Sequence, residues 1–266
     1  MGSPINATVD PDTGLRIYTF NGVPLISATS SRRVVGMPFA LATWQVNQIL
    51  AAAAVMRGTM AEKALSADEY PKALRKMATQ ERDAAAALGS SVHEAADLGV
   101  YSETLNEDDL RKPFLRSYEA WLRSDMQPEI LVSEAQVFHL KEGYAGSLDL
   151  IANCTIEGKR KQTLVDLKTG KGVYTDHAIQ LALYMGAEFI GGYDPIDDLD
   201  AMFPTQTQHL MDCETMAVLH LRPDGYQFIE IPYTDRLAAA ALDMVRLARF
   251  FMDNPDIEKL KGVTYP

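Results

Sequence analysis

Short runs of β-branched, aromatic and aliphatic residues cluster in the middle of the chain: ILVSEAQVFHL from Ile130, YAGSLDLIANC from Tyr144 and QTLVDLK from Gln162. Each predicts a β-strand, and Glu157-Gly158 between the last two predicts the turn of a hairpin. Near the N-terminus, residues 15–29 predict a smaller hairpin, because Asn21-Gly22 supplies the positive φ angles of a two-residue turn. From Ala40 to Leu88 the vocabulary is Ala, Leu, Met, Lys and Glu, which predicts helices, one of them starting close to Pro71. Gly89-Ser90-Ser91 reads as an interruption, after which SVHEAADLG starts a new helix with His93 in its first turns. Leu110, Phe114, Tyr118, Trp121 and Leu122 recur at helical spacing and predict a helix from about Glu107 to Arg123, with Asn106 as its cap. Beyond the central strands the pattern predicts a helix from about Asp176 to Phe189 and an acidic surface loop, GGYDPIDDLD. Two strands, MAVLHLR and GYQFIEI, flank the turn Pro223-Asp224-Gly225, and a helix from about Asp235 to Met252 closes the chain. This order of elements predicts an α/β domain with a mixed sheet and a helical flank.

Composition narrows the picture. With 266 residues, 47% of them hydrophobic, the chain can bury the core of one large domain. A formal charge of −11 excludes a globally basic surface, so contact with nucleic acid would need a local groove. Cys154 and Cys213 lie far apart and predict two reduced thiols rather than a disulfide framework or a cysteine-bound metal. No apolar run has the length of a membrane span and the N-terminus lacks a signal-peptide layout, so an intracellular, cytoplasmic protein is expected.

The chemistry concentrates in LVDLKTGKG, Leu164 to Gly172. Asp166 and Lys168 share one face of an otherwise apolar strand, where charges are rare unless paired, metal-bound or catalytic. Asp149, on the neighbouring run, can reach the same point by hairpin pairing. Two carboxylates, the backbone carbonyl between Asp166 and Lys168, and water form an oxygen set that Mg²⁺ accepts. Lys168 beside it could orient a water or neutralise a phosphate. The plainer alternative is a partly buried ion pair of Lys168 with either aspartate. Gly146, inside a strand, lets another group come close. Gln180 and Tyr184 lie one turn apart on the following helix and point the same way, as an ordinary polar edge would too. His93 is a helix histidine that would tolerate Mn²⁺ as well as Mg²⁺, or is simply structural.

Taken in order, GSSVHEAA, the strand bearing Glu134, GSLDLIA, LVDLKTGK and QLALY resemble the RecB-type branch of the PD-(D/E)XK nuclease superfamily, over roughly Gly89 to Leu221. The segment VPLISATSSRRVVGMPFALATW resembles the N-terminal part of single-domain, phage-borne exonucleases of that branch. The resemblance implies a restriction-endonuclease-like core, here over residues 89–266, behind an N-terminal hairpin and helical region over 1–88, the two forming one compact unit. It implies Asp149 and Asp166 as metal carboxylates, the Leu167 carbonyl and His93 as further ligands, and Lys168 beside the attacking water. Gln180 and Tyr184 would steady the site, and Glu134 matches a recurrent acid whose plainer role is an ion pair. Asp166 stands where many relatives carry Glu, and both acids bind a hard cation. With only two cysteines, no iron-sulfur cluster is expected.

The function so implied is a Mg²⁺- or Mn²⁺-dependent DNA exonuclease acting in recombination, repair or phage DNA metabolism, and located in the host cytoplasm if phage-encoded. Lys159, Arg160, Lys161 and Lys171 are the basic residues expected around the site, with Arg32 and Arg33 as outlying DNA contacts; a solvated hairpin tip is the alternative for Lys159 to Lys161. No phosphate-binding loop of an ATP-driven motor occurs, so the enzyme would work on ends, with the helical block from Ala40 to Leu88 walling off a continuous duplex. The resemblance leaves room for a recombinase or single-strand-binding partner and for an oligomer. The alternatives are an endonuclease of the same fold and a non-catalytic subunit that binds DNA ends or protein.

Overall fold

The computed structural model describes residues 7–9, 16–20, 22–31, 39–59, 62, 64–191 and 213–254. Its described strands form one nine-stranded mixed sheet with helices on both faces. The N-terminal strands are β1 (Thr8–Val9), β2 (Arg16–Phe20) and β3 (Val23–Ser27). A single turn, α1 (Ala28–Ser31), precedes α2 (Phe39–Met56) and the long α3 (Glu69–Asp97). After α4 (Lys112–Leu122) come β4 (Glu129–His139), β5 (Tyr144–Ile156) and β6 (Lys159–Lys168). The chain continues through α5 (Thr175–Met185), β7 (Phe189–Gly191), β8 (Thr215–Arg222), β9 (Gly225–Ile231) and α6 (Asp235–Asp253).

Two apolar layers hold the sheet. On one face Leu148, Ile151, Leu164 and Val218 pack against Leu181 of α5 and Ala241 and Val245 of α6. On the other, Leu150, Ala152, Val165, Leu167 and Leu219 pack against Val92 of α3 and Leu115 and Trp121 of α4. The alternation in β6 is therefore real on both sides, with Leu164, Asp166 and Lys168 facing one layer and Val165 and Leu167 the other. Full burial of each large side chain contributes about 1.5–3 kcal/mol, which fixes the register because a one-residue slip would exchange the faces. Helix α2 packs on the N-terminal half of α3 through Ala52, Leu74 and Ala78, while Val46, Leu50 and Val55 stay exposed.

The strand order places the site. One edge of β5 is paired along its length by antiparallel β4. The other edge is shared: parallel β3 takes Tyr144 and Ala145, and antiparallel β6 takes Leu150 onward. Between them, Gly146 to Asp149 have no ladder partner on that side among the described strands. A gap in a sheet edge is the place where side chains must replace ladder bonds.

Several expectations are corrected. Gly89-Ser90-Ser91 does not break a helix: α3 runs through it for 29 residues, and His93 lies in its last turns, not its first. Gly89 is there for space, since a Cβ would stand 2.9 Å from Thr169 Oγ1, and Ser91 Oγ donates to the Leu88 carbonyl within the helix. The expected division between residues 88 and 89 therefore falls inside α3, and the N-terminal hairpin joins the main sheet through β3. Helix α4 starts at Lys112, with Pro113 in its first turn, so Asn106 is not its cap. The helix after β6 ends at Met185, and Phe189 belongs to β7, which pairs with β4. Asn21 and residues 192–200 of the expected acidic loop lie outside the described residues. Among the described residues no helix is long and apolar enough to cross a membrane.

Candidate metal centre

Three carboxylates meet at one level of the sheet. The pairs Ser133↔Leu150 and Ala135↔Leu148 leave Glu134 opposite Asp149. Leu150↔Val165 is the last pair between β5 and β6, so Asp149 and Asp166 are the next residues along. Glu134 has φ of 46°, a left-handed conformation that non-glycine residues adopt at a cost. Asp149 fills the β5 gap with its side chain: Oδ2 accepts the Leu167 N–H at 2.6 Å, and Oδ1 lies 3.5 Å from His93 Nδ1. Asp166 is buried; its Oδ1 accepts from Gln180 Nε2 at 3.2 Å, and its Oδ2 lies 2.5 Å from Lys168 Nζ. Lys168 Nζ also donates to the Leu167 carbonyl at 3.0 Å. Gln180 Nε2 donates further to Tyr184 Oη at 3.0 Å, and the Tyr184 ring occupies the space that a Cβ on Gly146 would need.

Burial and the charges around them perturb these groups. Burial and the neighbouring Asp149 push the Glu134 carboxyl up to about 7. Burial pushes Asp166 up as well, against the pull of Lys168. Burial acts the same way on Asp149, but His93, Lys168 and the Leu167 N–H together outweigh it and hold Asp149 below the usual range. Burial would lower His93, yet its contact with Asp149 prevails and raises it. Divergent acidities among touching groups are a mark of functional sites.

One His93 nitrogen and one oxygen each from Glu134 and Asp149 lie within 4.8 Å of one another, a spacing that could hold a metal ion. The donor set is two carboxylates and one imidazole, suited to a divalent cation with water completing its shell. Asp166 and the Leu167 carbonyl adjoin this triad, and both are held by Lys168. The ligand triad thus includes Glu134, which the resemblance did not place among the ligands, and the Leu167 carbonyl is bound to an amine in this arrangement.

The basic residues distribute differently from expectation. Lys159, Arg160 and Lys161 open β6, whose ten residues span about 30 Å, so they stand at the opposite end of the strand from Lys168. Arg160 donates to the Gln127 carbonyl and pairs with Glu129 at 3.2 Å, and Lys161 lies 3.8 Å from Glu230. They serve the hairpin end, not the carboxylates. Lys171 is exposed in the loop that follows β6, and Arg32 and Arg33 lie outside the described residues.

One residue went unread. His220, buried on β8 and in register with Lys168, has Nε2 2.7 Å from the Gly170 carbonyl, so Nε2 carries the proton and donates. It ties down the loop after Lys168 from one side, while the close approach of Gly89 to Thr169 confines it from the other. The signal was in MAVLHLR, where His220 has the parity of Met216 and Val218.

No family model and no curated protein matches this chain. Among solved structures, a crystal structure of SSO0001 is 19% identical over 55% of this chain, with a TM-score of 0.28. The chain spans 56% of that structure's length.

Proposed function

We propose that the protein is a Mg²⁺- or Mn²⁺-dependent deoxyribonuclease that removes nucleotides from DNA ends. The observation that carries this reading is the level of three carboxylates, Glu134, Asp149 and Asp166, with His93 on one side and the Lys168 ammonium on the other. Held by His93, Glu134 and Asp149, a divalent ion would supply charge neutralisation at the attacked phosphate. Asp149 is fixed for that task by the Leu167 N–H. The Lys168 ammonium can hold a water in line with the phosphorus and offset phosphate charge, and Gln180, braced by Tyr184, keeps Asp166 turned toward it. In the hydrolysis a water gives a proton to solvent as its oxygen bonds to phosphorus, the bond to O3′ breaks, and the departing O3′ takes a proton from solvent, leaving a 5′ phosphate and a 3′ hydroxyl.

A time course on end-labelled linear DNA with Mg²⁺ or Mn²⁺, alongside a chelator and a covalently closed circle, tests the reading. Mononucleotide release from the linear form alone, abolished by chelator and by Asp149→Ala or Lys168→Ala in folded protein, is the expected result. Nicking of the circle would replace the exonuclease reading with an endonuclease one. Absence of any cleavage with either metal would overturn it.

A further inference from the structure

The α2–α3 arm, remote in sequence from the carboxylates, carries a groove of about 230 Å³ lined by the apolar Ile49 and Ala78 together with polar side chains, among them Gln45 and Gln48 from α2 and Arg75 and Arg82 from α3. Because α3 is unbroken from Glu69 to Asp97, helical geometry fixes how this groove relates to the candidate centre. Arg75 lies eighteen residues before His93, which is five full turns, and Arg82 lies eleven before it, about three turns. Arg75, Thr79, Arg82, Ala86, Gly89 and His93 therefore form one stripe along a single helix. The stripe contains no acid, and the two positions between Arg82 and His93, Ala86 and Gly89, are small. Over positions 39–87 there are six basic and five acidic residues, in a chain whose formal charge is −11.

Resting on the nuclease reading, we propose that this stripe is a rail for the DNA backbone, with Arg75 and Arg82 taking phosphates on the way to the cleaved bond. At 1.5 Å per residue, Arg82 and Arg75 stand about 17 and 27 Å along the helix axis from His93. That is roughly five and eight phosphate steps along one strand of duplex. Arg75 forms no ion pair among the described residues, so its guanidinium is available. Arg82 pairs at 2.8 Å with Asp83, but both side chains are exposed, and such a pair yields readily to a phosphate. Gln45, Gln48 and the Thr79 hydroxyl add neutral hydrogen-bonding groups around the same groove, and the exposed Ala84 to Ala87 leave the helix bare for a strand to pass.

The test is fluorescence anisotropy in chelator with labelled duplexes of about 20 and about 6 base pairs, the shorter one able to reach Arg82 but not Arg75. Combining Arg75→Ala and Arg82→Ala is expected to weaken the longer duplex roughly ten- to hundredfold at about 0.1 M salt and to lower the salt slope by about two. The short duplex, which ends before Arg75, should lose several-fold less affinity than the long one. Lys76→Ala, about a quarter-turn off the stripe, should change binding by less than about threefold, and the metal-induced thermal shift should match the parent's. Unchanged affinity in the arginine variant, or an equal loss with Lys76→Ala, overturns the rail and leaves the cleavage reading standing. If the parent binds no DNA but binds an acidic polypeptide through the same arginines, both readings fall in favour of a protein partner.

Discussion

Gly146→Ala tests the link between packing and the candidate centre without altering any charged group. The added Cβ would stand 2.4 Å from Tyr184 Cε1 and 3.2 Å from its Cζ, where ordinary contact begins near 3.4 Å. Tyr184 is only 2% exposed and belongs to the layer of Leu148, Leu181 and Val245, so the ring cannot turn away. Either the ring or β5 must shift by about 1 Å, an overpacking cost of about 1–3 kcal/mol, partly offset by the gain from a stiffer unfolded chain of about 0.4–1 kcal/mol. The net loss of roughly 1–2 kcal/mol should lower Tm by roughly 2–8 °C. Tyr184 Oη accepts from the same Gln180 amide that holds Asp166, so the displacement should also cost at least about tenfold in metal-dependent cleavage, the equivalent of about 1.4 kcal/mol. Gly158→Ala is the matched control: its φ of +74° makes a side chain strained by about 1–2 kcal/mol, but it sits in the far turn of the β5–β6 hairpin with open space around it. Differential scanning calorimetry and the end-labelled cleavage assay should separate the two, Gly158→Ala losing stability alone. Full stability and activity in Gly146→Ala would refute the contact's importance, and equal activity losses in both variants would reduce the effect to general destabilisation.

Other outcomes follow from the same structure. Mg²⁺ or Mn²⁺ at about a hundred times its Kd should stabilise the protein by about 2.7 kcal/mol, read as a thermal shift that chelator reverses and that His93→Ala or Asp149→Asn diminishes. Buried Glu119 would be raised by desolvation, but it accepts from Ser102 N–H at 2.6 Å, Ser102 Oγ at 3.0 Å and Arg123, and these hold its carboxyl below the ordinary value of 4.5. Its contribution is therefore present at neutral pH and lost as pH falls below 4.5; Glu119→Gln should cost about 1–2 kcal/mol in urea melts at pH 7 and flatten the decline in acid. Trp121→Ala should cost about 3–5 kcal/mol, whereas Trp121→Phe should cost markedly less, because the buried Nε1 has no hydrogen-bond partner among the described residues to lose.

The strands around the carboxylates were legible because their faces differ: Leu164 and Val165 both had to be buried, on opposite sides, and only a central strand allows that. Asp166 and Lys168 stood out against that background for the same reason. Glu134 was harder to place, since nothing in EILVSEAQVFH announces a left-handed residue, and its carboxylate reaches the triad through that backbone turn. The continuity of α3 was misread because glycine and two serines are read as breakers, whereas here Gly89 answers a steric demand from Thr169, 80 residues later in the chain. Such contacts between distant residues leave no local pattern. The same holds for the basic cluster: sequence proximity of Lys161 to Lys168 suggested one surface, but an extended strand carries them apart at about 3.3 Å per residue.

The departures from regular sheet geometry all fall at one level, and this concentration argues for function over accident. Glu134 leaves the β conformation, the β5 edge has no ladder partner among the described strands from Gly146 to Asp149, Tyr184 presses against a residue with no side chain, and the Glu134 and Asp149 carboxylates converge on His93. A sheet selected for stability alone would close that edge with ladder bonds and fill it with aliphatic residues, as it does two residues away at Ile151 and Leu164. Every departure costs free energy in the metal-free fold, of order 1–3 kcal/mol for the backbone strain alone. Asp149 recovers part of that cost through the Leu167 N–H, and Lys168 recovers part through Asp166. Glu134, whose carboxyl is pushed up to about 7, forms no ion pair among the described residues, and a divalent ion held with His93 and Asp149 is the simplest group that would offset that crowding.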